Sequence, residues 1–377
     1  MIIGIDLTST PYGTGVSSYT LNLVKNLLKI DKVNIYKLFF SSFRLKPPLD
    51  IIKLSQLPNV KLYQYRLPLT LLEFIWNQLH LFPIELFIGR TDVFHTSDWT
   101  QPPTLRAKTV TTIHDLFPLT HPNWHHPKTV KVHRRKLFWA IRQCRHFICV
   151  SQSTRHDLLK LFPKIVPDRA SFVYEAAEKK YNEYSRLSKK LKLSLKQIIN
   201  RQYGLSRYFL IQGTREPRKN LNRIIAAFIQ FKKSQANDKT ELAITGKYGW
   251  GKDTAPQNPY IKILGYIPER HLVALHAAAT CLVYPSLDEG FGLPIIKSMK
   301  VATPVITSHT PSLAEVSGGR ALLVNPLSVS EISDAMLKIT QQAPLRQKLV
   351  RAGLVWSRQF SWTKTARQTL AIYQSLC

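Results

Sequence analysis

The chain has 377 residues, of which 44% are hydrophobic and 20% charged, and its formal net charge is +30. This composition is typical of a globular protein with sizeable cores, and the length predicts two or three domains. The most apolar long window, residues 67–88, is too polar for a membrane span; its interruptions are Glu73, Asn77, Gln78, His80, Pro83 and Glu85. Residues 1–7 contain no basic leader, and the four cysteines lack metal-ligand spacing. We therefore expect an intracellular protein with reduced thiols and without a bound metal.

The positive charge is distributed unevenly. No acidic residue lies between Asp115 and Asp157, whereas eight basic residues do: Lys128, Lys131, Arg134, Arg135, Lys136, Arg142, Arg145 and Arg155. Phe138 and Trp139 lie among them, which fits a surface helix on anionic lipid headgroups. A second basic cluster runs from residue 179 to residue 196. Such charge is compatible with a membrane surface, anionic substrates or nucleic acid, and equally with a solvated basic face.

Nucleic acid is the least supported of these partners. The sequence contains no zinc-finger spacing, no aromatic signature of RNA-recognition domains and no basic heptad array. A basic nucleic-acid binder therefore remains only a third hypothesis for the function.

Short apolar strands alternate with amphipathic helices along the chain. The first part predicts strands over residues 2–7, 34–40, 92–95, 109–113 and 146–150, and helices over 16–28 and 155–161. A lysine-rich stretch, 178–206, predicts a linker and an entry helix. The second part predicts strands over 208–212, 241–245, 261–264, 281–284, 304–308 and 321–324, and helices over 220–231, 271–279 and 294–302. This alternation predicts two parallel sheets covered by helices.

The most informative segment is SLDEGFGLPIIK, residues 286–297. It joins a predicted strand to a predicted helix, so its backbone N–H groups and the helix dipole lie at the carboxyl edge of a sheet, where phosphates and sugars bind well. Gly290 and Gly292 allow a ligand to approach the backbone closely. Glu289 is expected at the lip of the crevice, where it can accept hydrogen bonds from hydroxyl groups.

A second strand-to-helix segment, GTREPRKNL at residues 213–221, is rich in cations. Arg218 and Lys219 precede a predicted helix, and cations at a helix N-terminus oppose its dipole unless an anion binds there. A diphosphate would resolve that conflict, because arginine binds phosphate oxygens in pairs and lysine supplies a point charge.

Together these segments resemble the retaining glycosyltransferases of family 4, and the resemblance covers almost the whole chain. Its segments are GTGVSSY (13–19), TIHDLFP (112–118), VSQSTRHDL (150–158), GTREPRKNL (213–221), GYIP (265–268), PSLDEGFGLP (285–294) and TPVIT (303–307).

The resemblance implies the α/β fold called GT-B, in which two Rossmann-like, doubly wound parallel-sheet domains face each other across a cleft. An acceptor-binding domain is then expected at 1–185, a nucleotide-sugar-binding domain at 186–355, and a C-terminal helix crossing back at 356–377. The implied activity is retaining, metal-independent and cofactor-free transfer of a hexose, such as mannose, from a nucleotide-sugar to a lipid-linked or polysaccharide acceptor. The implied setting is cell-envelope glycan synthesis by a cytoplasmic protein, peripheral on the inner face of the membrane and docked through residues 128–145.

The resemblance also implies roles for individual residues. Arg218 and Lys219 would bind the donor diphosphate, and so would Gly13 and Gly15 through close approach to the backbone. His114 and Glu289 are the expected catalytic pair, bonded to the hydroxyls of the donor sugar. The donor sugar and nucleotide loop would comprise Gly290, Phe291, Gly292, Leu293 and Lys297. The alternatives are that Gly13 and Gly15 mark only a turn, and that His114 forms a structural pair with Asp115.

The pattern departs from the family at Lys297. The family has a second glutamate eight positions after the first, with seven residues between them, and it accepts hydrogen bonds from the nucleotide ribose. Lysine has no acceptor. The loss of such a bond weakens binding by roughly 1.5–3 kcal/mol. Lys297 would instead bind a phosphate, or Glu315 would replace the missing carboxylate. A non-catalytic subunit with a glycosyltransferase fold is therefore the alternative function.

Overall fold

The computed structural model describes residues 1–249 and 258–377. The chain forms two compact units. Unit 1 contains Met1–Glu175 and Ser361–Cys377, and unit 2 contains Ala176–Phe360. The predicted boundary at residue 185 lies near the end of a short helix, Lys179–Arg186, in unit 2.

Unit 1 is built on a seven-stranded parallel sheet in the order β3-β2-β1-β4-β5-β6-β7. Its strands are β1 (Ile2–Asp6), β2 (Ile35–Ser41), β3 (Val60–Tyr65), β4 (Val93–Thr96), β5 (Lys108–Ile113), β6 (Cys144–Cys149) and β7 (Ala170–Phe172). The order reverses between β1 and β4, and the register places Thr96 of β4 beside Thr111 of β5. Ligands of such sheets bind at the carboxyl ends of the strands, near the reversal.

Helices cover this sheet. They are α1 (Gly15–Ile30), α2 (Leu49–Leu54), α3 (Leu69–Leu72), α4 (Glu85–Ile88), α5 (Phe117–Thr120), α6 (Pro127–Gln143), α7 (Gln152–Leu161) and, from the end of the chain, α16 (Trp362–Ser375). A π-helix, Glu73–Leu79, continues directly from α3. The α1 helix begins with a capping box, in which Thr14 and Ser17 satisfy each other's backbone N–H groups.

The last helix belongs to unit 1. Thr365 Oγ1 of α16 donates to the backbone oxygen of Tyr174 at 2.7 Å, and the Tyr373 hydroxyl lies 2.5 Å from Nδ1 of the buried His95 in β4. These bonds fasten α16 to the sheet of unit 1.

Unit 2 has a sheet of six parallel strands among the described residues, in the order β10-β9-β8-β11-β12-β13. They are β8 (Tyr208–Gln212), β9 (Glu241–Thr245), β10 (Ile261–Gly265), β11 (Cys281–Tyr284), β12 (Val305–Ser308) and β13 (Leu322–Val324). The order reverses between β8 and β11, so the loops after these two strands lie side by side.

The helices of unit 2 are α8 (Lys179–Arg186), α9 (Lys189–Tyr203), α10 (Leu221–Ser234), α11 (Glu269–Ala278), α12 (Leu293–Lys300), α13 (Pro311–Ser317), α14 (Val329–Gln341) and α15 (Ala343–Ser357). The apolar faces of α10 and α14 pack on the sheet, where Phe228, Phe231 and Met336 are fully buried. No helix in the part of the chain that the structure describes is long and apolar enough to cross a membrane.

Candidate functional site

The carboxyl edge of the unit 2 sheet carries the first group of predicted site residues. The loop after β8 leads through a 3-10 turn, Pro217–Lys219, into α10, and the loop after β11 leads into α12. The backbone N–H of Leu287 donates to the backbone oxygen of Arg218 at 2.8 Å, which joins the two loops. The sequence therefore folds the two predicted motifs into one contiguous site.

Five side chains, four of them charged, form a cluster between these loops. Glu289 accepts hydrogen bonds from Arg218, from Lys219 Nζ at 2.6 Å and from the Tyr284 hydroxyl at 2.7 Å. Arg218 also pairs with Glu216, with 2.7 Å between Nη2 and Oε1. The carboxylates of Glu216 and Glu289 thus provide the anions that the cations at the start of α10 require.

Burial sets the electrostatics of this cluster. Burial alone would raise the pKa of Glu289, but the charges of Arg218 and Lys219 outweigh it and hold that pKa well below its ordinary value. Burial, together with the neighbouring Arg218, lowers the pKa of Lys219. Glu289 is therefore an ionised carboxylate with three bonds made out of about four that it can accept.

The rest of the predicted donor loop contains a glycine that the backbone requires and a buried packing residue. Gly292 has φ = +90°, and a Cβ there would lie 2.4 Å from the side chain of Leu313, so glycine is required at this position. Phe291 is 4% exposed and packs against the ring of Phe360 with 6.0 Å between centroids. Gly290 is half-buried, and Leu293 is the first residue of α12. Phe291 thus holds the loop in place by packing against Phe360.

Lys297 has a partner that the sequence did not reveal. Its Nζ lies 2.8 Å from Oε1 of Glu178, and the Lys297 side chain is 10% exposed. Burial opposes the ionisation of Glu178, but Lys297 outweighs it and lowers the pKa of that carboxyl. Lys297 is thus a partner in a nearly buried ion pair, and the carboxylate at this place comes from Glu178.

In unit 1 the predicted glycines precede and begin α1. Gly13 has φ = +67°, whereas Gly15 is the first residue of α1. A Cβ at either position would meet no heavy atom within 4 Å among the described residues. The space beside both glycines is therefore open to a ligand.

His114 follows β5 at the same edge of the unit 1 sheet. Its Nδ1 lies 3.6 Å from Oε1 of Glu175, and its ring packs edge-on against Tyr19 with 4.7 Å between centroids. Burial lowers the pKa of His114, but Glu175, Asp98 and Asp115 together outweigh it, so the pKa is raised. His114 is thereby favoured as a cation and a hydrogen-bond donor.

Five residues of these two sites were missed by the sequence reasoning: Glu175, Glu178, Glu216, Tyr284 and Asp98. Glu216 lies in the cationic loop 213–221, Tyr284 ends a predicted strand, and Asp98 follows a predicted strand. Their positions at strand ends could therefore have identified these three residues. Glu175 and Glu178 carry no such signal, because their partners are distant in sequence.

Known families match both halves of the chain. Residues 13–176 match the family described as Glycosyltransferase Family 4, and residues 196–356 match Glycosyl transferases group 1. The chain is 30% identical over 379 aligned residues to O-antigen chain mannosyltransferase B of Escherichia coli, with 96% of each chain covered. It is 28% identical to the O-antigen chain mannosyltransferase RfbU of Salmonella typhimurium, covering 63% of this chain and 62% of the relative.

Solved structures share the fold. Anabaena HepE in complex with UDP and glucose superimposes with a TM-score of 0.70 at 14% identity, covering 100% of both chains. WaaG, a glycosyltransferase involved in lipopolysaccharide biosynthesis, gives a TM-score of 0.71 at 14% identity, covering 98% of this chain and 99% of that one.

The chain belongs to the group 1, family 4 glycosyltransferases. The predicted family and the predicted GT-B fold, with two Rossmann-like parallel-sheet domains, are both confirmed. The predicted glycosyltransferase function is confirmed as well, and the alternative of a non-catalytic subunit is not favoured.

Proposed function

We propose that this chain is a retaining hexosyltransferase that moves mannose from a nucleotide-diphosphate sugar to a lipid-linked or polysaccharide acceptor in cell-envelope glycan synthesis. The choice of sugar and pathway is supported by the names of the relatives, of which the first aligns over 96% of its length. A UDP-glucose complex of a protein with the same fold supports a nucleotide-sugar as the donor.

The observation that carries this proposal is the cluster of Arg218, Lys219 and Glu289. Breaking the sugar–phosphate bond leaves negative charge on the departing nucleoside diphosphate, and preorganised cations stabilise such charge most in the transition state. Glu289 holds Arg218 and Lys219 in fixed positions before any ligand arrives. The remaining hydrogen-bonding capacity of Glu289 suits a hydroxyl of the donor sugar.

The proposed reaction exchanges one bond at the anomeric carbon. The bond to the diphosphate oxygen breaks, and a bond to the acceptor oxygen forms on the same face of the sugar. The acceptor hydroxyl gives its proton to the departing phosphate oxygen, so no protein nucleophile is needed. The two cations would supply the charge that a metal ion supplies in other transferases, so we propose that neither a metal nor a cofactor takes part. His114, as a cationic donor, would hydrogen-bond a hydroxyl of the transferred sugar.

We further propose that unit 1 docks on the inner face of the cytoplasmic membrane. The π-helix ends in a loop where His80 and Phe82 have left-handed backbones, with φ of 55° and 59°. Strained backbone of this kind is retained where it has a use. The loop presents large apolar side chains to solvent, namely Leu79, Leu81 and Phe82, which are 48%, 51% and 53% exposed.

The basic helix α6 packs beside this loop. His80 stacks on Trp139 at 3.7 Å between centroids, and Trp139 Nε1 donates to the backbone oxygen of Asn77. Five basic residues of the predicted docking stretch are exposed: Lys128, Lys131, Arg134, Arg142 and Arg145. Lys136 does not belong with them, because it is 1% exposed and bonds to Thr111. Apolar side chains next to cations suit an anionic lipid surface.

The test of the transferase proposal is a donor panel. The purified protein is incubated with UDP-, GDP- and ADP-hexoses, a mannose-containing glycolipid acceptor and EDTA, and products are followed by mass spectrometry. We expect transfer from one donor class, a loss of about a hundredfold or more in kcat for Arg218→Gln, and little change for Arg223→Gln, which alters an exposed residue of α10. A folded wild-type protein that transfers no sugar from any donor would overturn the proposal.

A further inference from the structure

Beside His114, unit 1 carries a group of polar and aromatic side chains that the proposed reaction does not place in contact with the donor. Asp98 lies two residues after β4, and His114 lies just after β5; the pairing of Thr96 with Thr111 makes these two positions neighbours at the sheet edge. Asp98 Oδ2 is 3.9 Å from Nε2 of His133 on α6. The side chains of Asp98, His133 and His114 are 22%, 14% and 14% exposed, so a ligand can reach all three.

Trp99 supplies an aromatic surface at the same place. Its ring packs edge-on against His133, with 5.3 Å between centroids and 88° between planes. The indole N–H donates to the carboxylate of Glu73, which is 7% exposed. The backbone oxygen of Trp99 accepts from Asn77 Nδ2 at 2.9 Å. The indole is therefore fixed before any ligand binds.

Several hydrogen bonds hold the loop that carries these residues in place. Ser97 Oγ accepts hydrogen bonds from the backbone N–H groups of Trp99 and Thr100, at 3.3 and 3.2 Å. Thr100 Oγ1 donates to Asp6 at the end of β1, and Asn77 Oδ1 accepts from the N–H of Gln101. The loop thus spans the β1–β4 reversal, which is where parallel sheets of this topology bind ligands.

We propose that Asp98, His133 and Trp99 form the subsite for the acceptor sugar, with Asp98 accepting hydrogen bonds from its hydroxyls and Trp99 packing against its C–H face. An ionised carboxylate beside imidazoles accepts from neutral hydroxyls without needing a proton of its own. A fixed indole offers contact area to a sugar ring at little cost in conformational entropy. The loop is bonded to the π-helix that carries the apolar Leu79–Phe82 turn, which suits a sugar attached to a lipid.

This inference rests on the proposed function, and two measurements separate them. The first compares Asp98→Asn with Asp168→Asn, which alters an exposed carboxylate of unit 1 far along the sequence. We expect Asp98→Asn to raise the KM for a mannose oligosaccharide acceptor about tenfold to a hundredfold, and to raise it by a much larger factor than the KM for the nucleotide-sugar. An unchanged acceptor KM, or an equal rise in both KM values, would overturn the acceptor assignment while leaving the transferase intact.

The second measurement does not need turnover. Titration of α-linked mannotriose should change the tryptophan fluorescence of the wild type, and the change should be absent in Trp99→Phe, which keeps an aromatic ring. If the wild type transfers no sugar but shows this change, the proposed function fails and the subsite stands. If the fluorescence changes equally in both proteins, or in neither, the subsite is wrong. Thermal unfolding of each variant checks that the fold is retained.

Discussion

Lys297 and Glu178 form an ion pair, 2.8 Å between Nζ and Oε1, that connects α12 to the first residues of unit 2. Lys297 occupies the position where the family has its second motif glutamate. The pair is nearly buried and places the carboxylate of Glu178 beside the donor loop. A carboxylate is therefore present there although the motif glutamate is replaced by lysine. The lysine is therefore accommodated in this chain by a carboxylate partner.

Reversing one charge of this pair should destabilise unit 2. Lys297→Glu places two carboxylates together at a site with 10% and 13% exposure, and breaking a nearly buried pair costs about 3–5 kcal/mol. The double variant Glu178→Lys/Lys297→Glu should recover part of that loss. Urea unfolding measures both.

A matched control pair lies in α8, the short helix that begins directly after Glu178. Lys179 and Glu183 also form a pair, at 2.9 Å, but their side chains are 87% and 53% exposed. Lys179→Glu should leave the urea midpoint almost unchanged. A Lys297→Glu protein as stable as the wild type would contradict the assignment of a structural pair.

The variant Gly15→Ala should distinguish a ligand-binding role of Gly15 from a purely structural role in a turn. Gly15 has an ordinary helical backbone and open space beside it, and alanine favours a helix more than glycine does. Stability should therefore stay equal or rise, whereas the KM for the nucleotide-sugar should increase at least tenfold if a phosphate approaches the backbone there. Steady-state kinetics and thermal unfolding check this.

Gly204→Ala should give the opposite result, with lower stability and an unchanged KM for the nucleotide-sugar. Gly204 ends α9 with φ = +64° and also has open space around it. Alanine there should lower the free energy of unfolding by about 1–2 kcal/mol without altering the donor KM. Unchanged kinetics in Gly15→Ala would instead favour the interpretation of Gly13 and Gly15 as a turn alone.

Unit 2 should lose stability as the pH falls below 6.5. Burial lowers the pKa of His276 to about 3, and the charge of Lys297 acts in the same direction. Its neutral ring lies 2.6 Å from Gln212 Oε1 and 2.7 Å from Ser298 Oγ. Because the folded pKa is lower than the unfolded pKa, the unfolded state binds the proton first. The stability is complete above about 6.5 and declines by about 1.4 kcal/mol per pH unit below it.

Urea unfolding at pH 7.0, 6.0 and 5.0 measures this slope. His276→Gln keeps the polarity of the site and removes the titrating ring, so its unfolding free energy should depend less on pH over this range. An equal slope in both proteins would show that other groups determine the acid response.

The apolar turn of unit 1 should contribute to membrane binding. Phe82→Ser and Leu81→Ser should each weaken binding to vesicles containing phosphatidylglycerol, by about tenfold per side chain, as expected for the loss of a buried apolar group. Val33→Ser is the control, because Val33 is 90% exposed but lies outside the turn. Vesicle co-sedimentation at two salt concentrations checks this. Equal binding by all three variants would place the docking surface elsewhere.

The sequence predicted all six strands described in unit 2, including the edge strands β10 and β13, but it missed both edge strands of unit 1. The bounds predicted for β8, β9 and β11 match the structure, since each is a continuous apolar run between turn residues. Two strands of unit 1 were missed. β3 contains the exposed residues Lys61 and Gln64, and β7 has only three residues. Neither of these two edge strands has the continuous hydrophobic run that identifies a buried parallel strand.

The predicted linker and the predicted last helix were also placed differently. Residues 178–206 fold mostly into α8 and α9, which bury Tyr181 and Ile199 in unit 2. The helix predicted over 356–377 begins at Trp362, because α15 extends to Ser357. In both places sparse apolar residues pack against surfaces that only the tertiary structure defines.

The candidate site likewise contains residues that the sequence could predict and residues that it could not. Arg218, Lys219 and Glu289 were predictable because each follows a strand end, and neighbouring parallel strands bring their carboxyl ends to one edge. The pairing of Lys297 with Glu178 was not, since 119 residues separate them. Long-range pairs of this kind follow from packing rather than from any local pattern.

The most direct test of the central claim is the configuration of the new glycosidic bond. The purified protein is supplied with an α-linked nucleotide-hexose and a glycan acceptor in EDTA, and the one-bond carbon–hydrogen coupling at the anomeric centre of the product is measured by NMR. An α-linked product formed without metal is the result expected of retaining transfer stabilised by Arg218 and Lys219. A β-linked product, or transfer that resumes only when a divalent cation is added, would contradict it.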